Sequence, residues 1–137
     1  MRIKLDKNAY KPTKAHETDA GFDLYSPVDV LIHPRSRVTI DTGVHVELPA
    51  GTVGMLKSKS GLNVKHNILS EGVVDVGYTG SIVAKLYNHG DDWYRIHAGD
   101  KITQLVIVPL ADVGALEVVE ELAESERGNN GFGSTGR

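Results

Sequence analysis

The sequence predicts an all-β domain of the sandwich or barrel type. Three observations carry that expectation: 15 glycines among 137 residues, few stretches of helical periodicity, and short alternating segments recurring between turn residues. A chain of this length is one domain and buries roughly two-thirds of the surface its unfolded form exposes, so it folds without staples. It has no cysteine, which removes disulfides and thiolate metal sites and fits a reducing compartment. Met1 to Leu5 lacks the apolar core of a secretory signal, and no apolar run reaches membrane-spanning length. A cytoplasmic protein with no membrane partner is therefore expected. A net charge of -3 argues against stable, sequence-independent nucleic-acid binding, which needs a dominant cationic face. It leaves room for a small, highly charged ligand held by a few local cations.

The elements follow in order. Arg2-Ile3-Lys4-Leu5 alternates polar and apolar residues and reads as a first strand. Residues 8–18 are polar, contain Pro12 and read as a loop. Next comes a short strand around Phe22 and Leu24, whose period of two puts Asp23 on the side opposite them, as a solvated strand residue. Residues 28–32 and 37–41 are strands around the turn His33-Pro34-Arg35-Ser36. Residues 44–48 alternate, Pro49-Ala50-Gly51 turns, and residues 52–56 run extended again. The six histidines show no metal-ligand spacing, and His45, between Val44 and Val46, reads as a surface strand residue. Residues 63–66 fit one helical turn. Residues 81–88 form a mostly buried strand, residues 93–96 return after a turn, and Lys101–Pro109 is the longest apolar strand. Residues 117–124, with four glutamates, fit either a strand or a short helix.

Residues 71–80 carry the most chemistry. Gly72 and Gly77 permit backbone angles that other residues resist, and Val73 and Val74 favour an extended chain. The stretch reads as a tight hairpin that presents its own peptide groups, with Asp75 at its rim. A carboxylate beside a polar cleft can accept a proton from water, as hydrolysis requires; Asp is also an ordinary turn residue. Lys57-Ser58-Lys59-Ser60-Gly61-Leu62 gathers ammonium groups, hydroxyls and accessible backbone N–H groups, which makes either an anion site or a basic, serine-rich loop. Gln104 sits inside an apolar strand and needs a partner, since an unpaired buried amide costs about 1–3 kcal/mol. That partner is either backbone in the core or a ligand. Residues 127–137 are glycine-rich, and form either a loose tail or a segment that orders over a ligand, with Phe132 for stacking and Ser134 and Thr135 as donors.

Five segments, in this order, resemble the deoxyuridine triphosphatase (dUTPase) family. They are Ala20-Gly21-Phe22-Asp23-Leu24-Tyr25-Ser26, then Ser58-Lys59-Ser60-Gly61-Leu62, then residues 72–80, then Gly99-Asp100-Lys101-Ile102-Thr103-Gln104-Leu105, and finally Arg127-Gly128 with Gly131-Phe132-Gly133-Ser134-Thr135-Gly136. The resemblance spans nearly the whole chain. It implies a distorted jelly-roll β-barrel over residues 1–126, a flexible arm over 127–137, and a homotrimer with shared active sites. The implied reaction is hydrolysis of dUTP to dUMP and pyrophosphate with Mg²⁺, which limits uracil incorporation into DNA and supplies dUMP. By the same resemblance Asp75 would orient and deprotonate the water that attacks the α-phosphorus. Backbone groups of Gly72, Val73 and Val74 would read uracil, and Tyr78 would pack under the deoxyribose. Lys59, Ser60 and the N–H groups near Gly61 would hold the α and β phosphates, with Gln104 on phosphate or its ordered water. Asp23 would accept from the metal's water shell. In the arm, Phe132 would stack on uracil, while Arg127, Gly133, Ser134 and Thr135 would close over the ligand, Arg127 and the two hydroxyls taking the γ-phosphate.

Two departures stand out. Ser58-Lys59 replaces the family's common Pro-Arg, and lysine lacks the planar two-pronged contact of arginine, so weaker phosphate binding is expected there, with Lys57 or Arg137 as compensating cations. Ser70 stands before the hairpin, where many relatives carry an asparagine. The nearest enzymatic alternative is a dCTP deaminase with Glu71 as base, against which Asp75 and the complete arm argue. The alternative of another class is a nucleotide-gated interaction module, so a regulatory protein partner enters only as an addition to catalysis.

Overall fold

The computed structural model describes residues 1–130, and its regular structure is almost entirely antiparallel strand. Six strands form one sheet, in the order β2 (Gly21–Tyr25), β10 (Lys101–Pro109), β6 (Thr52–Lys57), β7 (Ile68–Val74), β8 (Val83–Asn88) and β4 (Arg37–Asp41). Two small sheets pair β1 (Arg2–Leu5) with β5 (Val44–Glu47) and β3 (Val30–Ile32) with β9 (Tyr94–Ile96). The single helix among the described residues, α1 (Ser60–His66), starts earlier than the one turn expected over residues 63–66. It ends where Asn67 turns left-handed at φ 55°, with Lys65 and His66 in the last turn opposite the negative end of its dipole.

Two apolar clusters hold the sheets together. Leu24, Val44, Val46, Leu56, Val74 and Leu105 belong to the first, under β2, β10, β6 and the β1–β5 pair. Ile32, Ile40, Ile68, Leu86, Ile96 and Ile102 belong to the second, between the β7–β8–β4 half and the β3–β9 pair. Strand alternation supplies most of these side chains, as in β5, where Val44 and Val46 are buried and His45 faces the other way. A bulge in β10 between Lys101 and Thr103 breaks the alternation, and both Ile102 and Thr103 are buried.

Residues 110–130 form no strand or helix, so neither form expected for 117–124 is present. The reason is physical: the segment has no neighbour to pack on among the described residues, and Leu116, Val118 and Leu122 stand 96%, 98% and 87% exposed. No helix among the described residues is long and apolar enough to cross a membrane.

Candidate active site

β7 pairs with a different neighbour over each half of its length. Glu71 to Val74 lie opposite Lys57 to Gly54 of β6, whereas β8 matches only Ile68, Leu69 and Ser70. The tight hairpin expected over residues 71–80 is therefore a wide loop that opens at Glu71. The cause lies in β4 and β5, which capture the returning limb. The Ile82 amide donates to the Val44 carbonyl at 2.8 Å, Thr42 Oγ1 donates to the Ile82 carbonyl at 2.7 Å, and the Ser81 hydroxyl donates to Asp41. His45 Nδ1 adds a 2.8 Å hydrogen bond to the Thr79 carbonyl. On the side away from β6, residues 72–74 present alternate main-chain N–H and C=O groups that no strand among the described residues covers.

Asp75 follows this uncovered edge and is exposed. Gly77, at φ 92°, makes the bend that follows, and the Tyr78 amide donates to the Asp75 carbonyl at 3.1 Å. The Tyr78 ring lies over Gly80, where a Cβ would come within 2.6 Å of it, and its hydroxyl donates to the Ser81 carbonyl at 3.0 Å. Half of Tyr78 remains exposed beside Asp75.

The segments around residues 20–26, 58–62 and 99–105 meet at one end of β2, β10 and β6. Gln104 lies opposite both Asp23 and Lys57 in the ladders. Its side-chain amide donates to the Ser58 carbonyl at 3.2 Å, so of the two partners expected for it this chain supplies backbone. Ser58 Oγ in turn donates to the Ser70 carbonyl and accepts from the Ser70 amide at 2.8 Å. The Ser70 hydroxyl is buried with no partner among the described residues. Ser60 and Gly61 are exposed at the start of α1.

Asp23 is not the solvated residue that the period of two suggests. Only 5% of it is exposed, because Lys59 covers one carboxylate oxygen and Lys101 Nζ donates to the other at 2.8 Å. Burial by itself favours the neutral acid, yet the hydrogen bonds from Lys101 and Lys59 outweigh it and hold the Asp23 carboxyl below its ordinary range. Two lysines thus share one carboxylate at this corner. Lys101 is the residue that sequence reasoning missed; the signal was a cation opening the strand that runs beside Asp23. Arg127 is exposed and donates to the Asn130 carbonyl at 3.0 Å. Phe132, Gly133, Ser134 and Thr135 lie outside the described residues.

Asp75 and the Lys59–Asp23–Lys101 corner are far apart in one chain. The β6–β7 register puts Asp75 level with Val53, four strand residues from Lys57, or about 13 Å along the strands. Gln104 and Asp23 lie one and two strands further across, each step about 4.8 Å.

The five segments lie within the span that known proteins match. The dUTPase family profile matches residues 7–136. The deoxyuridine 5'-triphosphate nucleotidohydrolase of Clostridium kluyveri is 45% identical over 136 residues, covering 97% of this chain and 94% of that one. The enzyme of the same description from Eremothecium gossypii is 44% identical over 138 residues, covering 99% and 90%. Among solved structures, a mutant dUTPase of Staphylococcus bacteriophage 80alpha with dUpNHpp superposes with a TM-score of 0.91 at 35% identity, covering 99% of this chain and 98% of that one. A mutant dUTPase from phage phi11 of S. aureus, solved with a structural Mg(II) ion, gives 0.82 at 31% identity, covering 90% and 98%. With the curled sheet, the uncovered strand edge beside Asp75 and the match over nearly every residue in agreement, this chain belongs to the dUTPase family.

Proposed function

We propose that the protein hydrolyses dUTP to dUMP and pyrophosphate, in a trimer whose sites draw on neighbouring copies. The observation that carries this reading is the opened turn, where Asp75 stands exposed next to a strand edge that no strand among the described residues covers. Uracil carries an N–H between two carbonyls, and residues 72–74 offer main-chain acceptors and donors in a matching row. Tyr78 gives the deoxyribose a flat wall that leaves no room for a 2′-hydroxyl. Asp75 orients a water molecule and takes its proton as the oxygen attacks the α-phosphorus, and pyrophosphate departs on the opposite side. Lys59, Ser60 and the N–H groups near Gly61 neutralise and fix the α and β phosphates, with Gln104 beside them. Residues 127–137 close over the ligand as an arm beyond a core of residues 1–126, bringing Arg127, Phe132, Gly133, Ser134 and Thr135.

Two features support sharing between copies. A base at Asp75 must stand within a few ångströms of the phosphates it serves, yet the register separates it from Gln104 by about 13 Å along the strands before any sideways step. Residues 110–130 also leave apolar side chains in water and span up to about 70 Å when extended, enough to reach another subunit.

Magnesium fits as a passenger on the substrate. Among the described residues no group of three or more His, Asp or Glu side chains is placed to hold a metal ion; Mg²⁺ usually keeps several of its waters and takes direct ligands from substrate phosphates. Asp23 uses one oxygen for each lysine and retains acceptor lone pairs for a metal-bound water. When bound, the ion neutralises triphosphate charge and fixes its shape.

Asp75→Asn tests the assignment, because it removes the base and keeps the shape. It should bind a non-hydrolysable dUTP analogue as the native enzyme does and lose about 10²–10⁴-fold in kcat by pyrophosphate release. A near-native rate sinks the role of Asp75, and ammonia released from dCTP would move the protein to the deaminases.

A further inference from the structure

We infer that His45 is a positioning residue for this reaction, pinning the returning limb of the Asp75 turn through the Thr79 carbonyl. The inference rests on the reading of Asp75 as the base. Residues 76–81 have no strand partner, so side chains must hold the limb. Its ends are fixed, with the Tyr78 amide on the Asp75 carbonyl and Ser81 and Ile82 bound to β4 and β5. Between them, His45 Nδ1 meets the Thr79 carbonyl at 2.8 Å.

His45 is well built for that task. Its neighbours Val44 and Val46 are 0% and 3% exposed in the first core cluster, so the strand bearing the ring is rigid. Alternation then aims the ring away from the core and onto the turn. Its side chain is only 18% exposed, Nδ1 faces the Thr79 carbonyl and Nε2 lies 3.3 Å from Asp6 Oδ2, so neither nitrogen points freely into water. A carbonyl only accepts, and Nδ1 therefore carries a hydrogen. The charged groups around the ring are Asp6, Lys4 opposite it on β1, and Asp41, whose carboxyl is held low by the Ser81 hydroxyl, the Gly43 amide and, in smaller part, by His45 itself. A surface residue in the ordinary sense would leave at least one nitrogen to water. Here core, ring and catalytic turn form one connected path, and a shift near 1 Å at a reacting group costs about 10²-fold in rate.

Three variants test this. In Asn the amide nitrogen stands where Nδ1 stands, in Gln it reaches where Nε2 stands, and Leu offers neither. His45→Leu should lower kcat about five- to tenfold with KM within about twofold, as expected for one lost positioning hydrogen bond. His45→Asn should return kcat to within about twofold of native, and His45→Gln should not. Thermal midpoints measured alongside guard against misfolding; if the Leu variant does not fold, the Asn and Gln pair decides. Native kcat in His45→Leu, or Asn no better than Gln, overturns the inference. Asp75→Asn run in the same assay separates the two ideas, because a fast Asp75→Asn enzyme removes the base while leaving the His45 comparison interpretable.

Discussion

Replacing Asp23 with Asn keeps the side chain's volume and removes the charge that gathers two lysines. Hydrogen bonds to charged groups contribute about 1.5–3 kcal/mol each. The Lys101 side chain is 41% exposed, so solvent screens most of its share, whereas Lys59, at 28%, keeps more of its own. The variant should therefore lose about 2 kcal/mol at neutral pH. Because the folded Asp23 carboxyl titrates below its ordinary range, this contribution is complete above the unfolded value and disappears as pH falls through the folded one. The native–variant gap should be constant from about pH 8 to pH 5 and narrow below about pH 4. Urea unfolding midpoints at fixed ionic strength, taken at several pH values, read this directly. A variant as stable as the native protein at neutral pH refutes the argument, as does a gap that stays the same size in acid.

Two further outcomes follow from the same coordinates. Asn88 is 2% exposed; its amide donates to the carbonyls of Asp92 at 2.8 Å, His33 at 3.2 Å and Ile32 at 3.3 Å, while its oxygen accepts from Gly90. Asn88→Leu should cost about 2–4 kcal/mol, read as a lowered thermal midpoint. On the proposed reading, removing residues after Glu126 should leave a folded assembly by light scattering and lower kcat/KM about a hundredfold, since charge-assisted contacts to the nucleotide would go with the arm; loss of folding would make that segment structural instead.

Local pattern revealed the strands whose environment is local. Arg2–Leu5, Arg37–Asp41 and Lys101–Pro109 run over the residues that alternation and apolar content indicate. What stayed hidden depends on partners distant in sequence. The width of the 71–80 loop is set by Thr42, Val44 and Asp41, about 40 residues earlier, which no hairpin rule includes. The burial of Asp23 comes from Lys59 and Lys101, and a period of two cannot see them. His45 reads as surface for the same reason, because its acceptor lies 34 residues on. Residues 117–124 gave no decision from sequence, and in the single chain nothing settles them into either form.

The uncovered edge of β7 has an evolutionary side. Substitution rewrites side chains, but residues 72–74 offer peptide groups outward, and every amino acid except proline brings the same pair. On the proposed reading, preference for one base is stored where point mutation barely reaches. Losing it requires sliding the strand by one position, which would also expel Val74 from the interior. Selectivity and foldability are thereby a single constraint, and a lineage is free to remodel the walls of this pocket without ever relearning which letter it admits.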